Sequence, residues 1–129
     1  MTRYVVDSHA WVEYLGSTAL GERVRELVED EDNEVFTSAL NLTEIVSRAE
    51  REGKDGRKVA ELVEGASVVV PLDFTSAVSA GRIHADRRKR IKDFPYGDAA
   101  VLALGRTLRA KVLSGDPHFR GEEGVIFLE

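Results

Sequence analysis

Four acidic residues occupy positions where one chain could use them together: Asp7, Glu44, Asp98 and Asp116. Each stands among hydroxyls or glycine: Asp7-Ser8, Ser38 before the helix carrying Glu44, Gly97-Asp98, and Ser114-Gly115-Asp116. Singly, each has a plain reading. Asp7 and Asp98 stand where a helix begins, where a carboxylate accepts from free backbone N–H groups. Glu44 falls opposite the Leu42/Ile45/Ala49 stripe and can face water. Asp116 precedes Pro117, a pair that makes turns. Jointly, four acids from four segments repel one another unless something positive sits between them. Oxygen-only clusters bind hard divalent cations such as Mg²⁺ or Mn²⁺. Such an ion lowers the pKa of bound water, stabilises charge on a phosphoryl oxygen and aligns a displacement, and metal-dependent phosphodiester cleavage uses all three. Ser8, Ser38 and Ser114 can hydrogen-bond the carboxylates and hold them in place. Capping and turn chemistry are the competing roles, with equal weight at Ser38.

The elements that must position these residues alternate. Tyr4-Val5-Val6 reads as a first strand ending at Asp7. Trp11, Tyr14 and Leu15 recur at helical spacing, and a second helix spans about Thr18 to Asp30. Val35-Phe36-Thr37 is a second strand. A third helix follows on Leu42, Ile45, Val46 and Ala49, ended by Gly53, and a fourth on Val59, Leu62 and Val63, closed by Gly65. Ser67 to Leu72 has the Val-rich pattern of a strand buried on both faces. A fifth helix runs from about Thr75, turning basic before Pro95, and a sixth from about Asp98 to Arg109, with Val101, Leu104 and Leu108 inward. Lys111-Val112-Leu113 and Val125-Ile126-Phe127 are the last strands. This order predicts an α/β fold, a three-layer α/β/α sandwich with a mainly parallel sheet. Residues 1–129 read as a single domain, without repeat or linker. Parallel sheets bind ligands beyond the carboxyl ends of their strands, where Asp7, Ser38 and Ser114–Asp116 stand.

The chain has 129 residues, 43% hydrophobic, which excludes ordinary disorder and allows a core without staples. It has no cysteine, hence neither disulfides nor a thiolate metal site. The N-terminus turns polar too soon for a signal peptide, and no apolar run approaches the ~20 residues that span a bilayer. A cytoplasmic protein without membrane association is expected. The formal charge of −5 argues against a nucleic-acid binder while it is treated as one sum. By position, Glu22 to Glu34 holds seven acids against two arginines, whereas Arg82 to Lys92 holds six basic residues in eleven.

The segments Val5-Val6-Asp7-Ser8-His9-Ala10-Trp11, Thr37-Ser38-Ala39-Leu40-Asn41-Leu42-Thr43-Glu44-Ile45, Tyr96-Gly97-Asp98-Ala99-Ala100 and Leu113-Ser114-Gly115-Asp116-Pro117-His118-Phe119 follow one another in a definite order and spacing. In this the chain resembles the PIN-domain ribonucleases, and among them the VapC-type toxins of toxin–antitoxin pairs. The resemblance implies that Asp7, Glu44, Asp98 and Asp116 form an acidic Mg²⁺ or Mn²⁺ site. Asp7, Asp98 and Asp116 would be the direct or water-mediated ligands, and Glu44 would act at the rim or through water. It also implies an RNA substrate, a homodimer and a VapB-like antitoxin across the cleft, with operator DNA met only through that antitoxin. Ser114 stands where the family often has Thr, which keeps the hydroxyl.

The basic run offers Arg82, Arg87, Arg88, Lys89, Arg90 and Lys92. A contact to the RNA backbone is one reading, a solvated helix face another, and docking of an acidic antitoxin tail a third. His9 and His84 are assigned to surface or packing, as is His118, for which contact with substrate two residues after Asp116 is the other reading, and Trp11 is assigned to the core. Gly53 to Lys58 lacks the spacing of a phosphate loop. Two rival readings are a catalytically silent PIN-like module that binds RNA or a partner, and a phospho-accepting domain with Asp73 as acceptor. The second lacks an acidic pair after strand one and a Lys after the last strand.

Overall fold

Tyr4-Val5-Val6 is β-branched or aromatic at every position, and all three residues are buried. They form the centre of the sheet in the computed structural model, which describes residues 1–129. The strands are β1 (Arg3–Val6), β2 (Glu34–Ser38), β3 (Val68–Val70), β4 (Lys111–Ser114) and β5 (Val125–Phe127). The helices are α1 (Ser8–Leu15), α2 (Ala19–Val28), α3 (Ala39–Arg51), α4 (Gly56–Ala66), α5 (Phe74–Arg87) and α6 (Tyr96–Leu108), with a short 3₁₀ turn at Pro117–Phe119. The strand order is β3-β2-β1-β4-β5 and every pairing is parallel.

Alternation along the strands divides the core in two. Val6 and Leu113 face one side, where Trp11, Val24, Ile45 and Val63 bring in α1 to α4. Val5 and Val112 face the other, against Ile83, Phe94 and the buried length of α6. Trp11 donates its indole N–H to buried Thr37 Oγ1 at 3.0 Å, so its ring is core and its one polar atom is satisfied. The α/β/α layering expected from the sequence is present, with a sheet that is wholly rather than mainly parallel.

The chain builds outward from β1 to β2 and β3, then returns to β1's other side for β4 and β5. The reversal opens a crevice at the carboxyl ends of β1 and β4. Val6 pairs with Leu113, which sets Asp7 beside Ser114.

Several local expectations are corrected. Ser67 to Leu72 is no doubly buried strand: only Val68–Val70 pair, on the sheet edge, and Val68 is 59% exposed. Pro71 has no N–H to extend the ladder, and an edge strand is covered by one neighbour only. Gly65 does not close α4, which runs to Ala66, and Leu62 lies outward. Helix α5 begins at Phe74 because Asp73 caps it, accepting from Ser76 N at 2.8 Å. That bond gives Asp73 a structural role as the cap of α5. Helix α5 ends at Arg87, so Arg88 to Lys92 lie in the following turn and not on a helix face. Helix α6 begins at Tyr96 behind Pro95, which makes Asp98 its third residue and not its cap.

Candidate active site

Asp7 leaves β1 and serves two purposes at once. Its Oδ1 accepts the Ala10 N–H at 3.0 Å, capping α1, while Oδ2 accepts Ser114 Oγ–H at 2.6 Å. The same Ser114 Oγ accepts the Asp116 N–H at 3.0 Å, which ties the end of β4 to the end of β1. Burial raises the Asp7 carboxyl from 3.8 to about 7, although the Ser114 and Ala10 bonds pull it down; the charges of Asp98 and Asp116 add to the rise.

Glu44 projects from the second turn of α3. Its Oε1 accepts Ser8 Oγ–H at 3.3 Å and Asn41 Nδ2–H at 3.1 Å. It lies against the first turn of α6, where a Cβ on Gly97 would sit 2.5 Å from Glu44 Oε1. Only glycine allows that approach, which brings the N-terminus of α6 and its dipole up to the carboxylate. Burial raises the Glu44 carboxyl, and the Asp116 charge adds to the rise against the pull of the Ser8 and Asn41 bonds.

Asp98 is buried on the same turn, and its carboxyl is raised from 3.8 to about 7, by burial first and the Asp116 charge second. Asp116 caps the 3₁₀ turn, accepting the His118 N–H at 2.9 Å. That turn points the His118 ring inward. His118 Nδ1 lies 3.1 Å from Asp98 Oδ2 and 3.2 Å from Asp116 Oδ1, and Nε2 lies 3.4 Å from Asp93 Oδ1. Burial opposes the imidazolium, yet Asp116, Asp98 and Asp93 outweigh it and raise the ring's pKa.

The structure therefore brings Asp7, Glu44, Asp98 and Asp116 to one edge of the sheet, where the Asp116 charge raises the carboxyls of the other three. Ser8 and Ser114 bond to these acids, whereas buried Ser38 makes no bond to any of them and no side-chain cap. A cleft of about 240 Å³ opens from Ser8, Glu44 and Asp116 toward Val12, Ile45, Arg48 and Arg51. Sequence reasoning ranked a site role for His118 below surface or packing and missed Asn41. The signal for His118 was its place two residues after an acid that precedes proline, where a short turn folds i+2 back on i. Asn41, one turn before Glu44, had helical spacing as its signal.

The basic run divides. Arg87 is no RNA contact in this structure: its guanidinium forms a bidentate pair with Glu122 at 2.6 and 2.9 Å, with both side chains nearly buried. Replacing Arg87 with Ala leaves Glu122 with only the longer 3.9 Å approach of Arg90, and a loss of about 2 kcal/mol in denaturant unfolding is expected. Arg82 lies beside Arg106, two helical turns or about 12 Å along α6 from Asp98. Arg88, Lys89, Arg90 and Lys92 are exposed on the turn that leads to Asp93 and the His118 ring.

The chain matches a family model described as the PIN domain over residues 4–121. No curated protein matches its sequence. Its fold is similar to VapBC2 from Rickettsia felis bound to a promoter DNA fragment, at TM-score 0.74 and 11% identity, over 98% of this chain and 97% of that one. It is similar to Mycobacterium tuberculosis VapC20, a sarcin-ricin-loop-cleaving toxin, at TM-score 0.73 and 17% identity, over 98% and 99%. DNA-bound VapBC from Salmonella typhimurium follows at TM-score 0.71 and 16% identity, over 98% and 97%. At such identities these likenesses speak for the fold alone. The family model spans nearly the whole length, from the strand that delivers Asp7 to the turn that delivers Asp116, and the chain belongs to the PIN domain family.

Proposed function

We propose that this protein is a metal-dependent endoribonuclease, the VapC-type toxin of a toxin–antitoxin pair, hydrolysing RNA phosphodiester bonds with Asp7, Glu44, Asp98 and Asp116. One observation carries the reading. Asp7 and Asp98 are buried near one another and raised to about 7, with one imidazole as the neighbouring positive group. Carboxylates this poorly compensated suit a cation. The donor set, four acids and no thiol, fits Mg²⁺ or Mn²⁺. Asp7, Asp98 and Asp116 would hold the ion, with Glu44 at the rim. When bound, the ion supplies charge stabilisation at a phosphoryl oxygen and a more acidic water.

The chain's own residues do the rest. Ser114 and the Ala10 N–H fix the Asp7 carboxylate, so no reorganisation is needed when substrate arrives. Ser8 and Asn41 fix Glu44 in the same way. Arg88, Lys89, Arg90 and Lys92 attract the RNA backbone beside the acids, with Arg82 farther out. Purified protein should cut a mixed RNA pool with Mn²⁺ or Mg²⁺ and not with EDTA. Intact RNA in both conditions would favour the silent PIN-like module instead.

The expected partners have places on the surface. An apolar groove floored by Val12, Leu15, Ile45, Ala49 and Val59, with Arg48 and Lys54 on its rim, continues into the acidic cleft through Val12, Ile45 and Arg48. Glu52 on the same rim pairs with Arg48 and Lys54. A VapB-like antitoxin tail with apolar residues therefore fits the groove, an acidic group on it having to displace Glu52, and operator DNA would be met through that antitoxin. A second copy of the chain fits the outer face of α5, where Phe74, Ala77, Val78, Gly81 and Ala85 are exposed. Ala77 and Ala85 are equidistant from Gly81, so two antiparallel copies crossing there would each set Ala77 against the other's Ala85. Light scattering should show a dimer, and Phe74→Asp should shift it toward the monomer.

A further inference from the structure

His118 is a residue of the reacting centre, and its surroundings decide what it can do there. Its Nδ1 faces two carboxylate oxygens, at 3.1 Å on Asp98 and 3.2 Å on Asp116, which arrive from different elements. One ligand atom from each of these three residues lies within 4.8 Å of the others. The N···O separations are close to the spacing of two neighbouring ligands on one small divalent ion, about 3 Å. The ring is held in this pose from several sides. The His118 N–H is fixed by Asp116, the ring meets Phe94 edge-on at 6.0 Å, and Nε2 points to Asp93. A carboxylate on the far nitrogen is the usual partner of a metal-bound imidazole, because it fixes the tautomer and strengthens the donor. The Asp93 carboxylate lies 3.4 Å from that nitrogen on an exposed side chain, within reach of this role on a small rotation.

We propose that His118 Nδ1 is a metal ligand that joins Asp98 and Asp116, with Asp7 behind them, so that this site takes a mixed nitrogen–oxygen donor set and not carboxylates alone. The inference rests on the metal-site reading above and narrows it to an ion class. An imidazole donor favours the borderline first-row ions over Mg²⁺, in the order Mn²⁺ < Co²⁺ < Ni²⁺. In the metal-free protein Nδ1 lies between the two carboxylates, and holding a cation there requires Nδ1 without its proton.

The test is pulsed EPR on the full-length protein loaded with Mn²⁺, prepared with ¹⁴N- and with ¹⁵N-labelled histidine. The expected result is a directly bound nitrogen coupling that changes with the isotope and disappears in His118→Gln. Calorimetry on the metal-stripped proteins should then show Co²⁺ affinity falling about tenfold or more in His118→Gln, with Mg²⁺ affinity changed far less. The wild-type spectrum needs no variant, so a failure of His118→Gln to fold leaves the test intact. Mn²⁺ bound without a histidine coupling overturns this inference and leaves the carboxylate site standing. No Mn²⁺ or Mg²⁺ binding at all overturns the metal-site reading and this inference with it.

Discussion

Replacing Asp98 with Asn is expected to leave a folded protein whose RNA cleavage in Mn²⁺ falls by at least about 100-fold, the loss of a few kcal/mol of charge stabilisation. The substitution keeps the shape of the side chain and removes its charge. Asp98 is buried on the first turn of α6, and its carboxyl is pushed up to about 7 by burial and by Asp116. The metal-free protein above neutral pH therefore gains by losing this group, since an ionised carboxylate there is costly. Two opposite readouts are expected from one change: activity lost, and metal-free melting temperature at pH 8 unchanged or raised. Gel assays of RNA cleavage and a thermal melt measure them. Undiminished cleavage would remove Asp98 from the reacting centre, and a collapsed melting temperature would make it structural.

The second large effect is the dependence of stability on pH and metal. Asp7 and Asp98 bind a proton more tightly in the folded protein, near 7, than at their ordinary value of 3.8. The folded state thus holds more protons between those limits, and stability falls as pH rises through them. His118, whose pKa is also raised, adds in the same direction, since its contribution is lost as pH rises through its folded value. At about 1.4 kcal/mol per unit, the two acids contribute a few kcal/mol. A metal-free melting temperature on the order of 10 °C higher at pH 5 than at pH 8 is expected. Glu122, held down by Arg87, acts oppositely, but only as pH falls below about its ordinary 4.5. Saturating Mn²⁺ should reverse the trend, because an ion needs the carboxylates ionised; its stabilisation should be large at pH 8 and small at pH 5. Melting curves at both pH values, with and without Mn²⁺, check this. A metal-free protein steadily more stable toward pH 8 would mean that the acids are solvated caps.

The α/β/α layering was legible because it rests on local periodicity. Short continuous β-branched runs mark the strands, and apolar residues at i, i+3 and i+4 name the face a helix must bury. Asp7 was legible as a cap and Asp116 as a turn residue from their immediate neighbours, and they accept from Ala10 N and His118 N, whereas the cap expected of Asp98 is displaced because Pro95 starts α6 earlier. Errors concentrated where a neighbour in space decides the outcome. Val68 to Val70 look like a buried strand until the sheet order puts them at an edge. Arg87 looks like part of a basic face until Glu122, 35 residues away, takes its charge.

The sequence by itself determined the order of strands and helices and most of the faces they bury, and that Asp7 and Asp116 follow strand ends while Glu44 and Asp98 lie early in helices. Those properties depend on neighbours within a few residues. Tertiary structure alone decided that β1 and β4 lie side by side, joining Asp7 to Ser114 across 107 residues. It also decided that Gly97 admits Glu44, and that His118 turns in between Asp98 and Asp116. Strand order and close packing are set by the summed burial of the whole chain. A contact that raises a carboxyl to about 7 or places an imidazole among acids therefore exists only after the layers have closed.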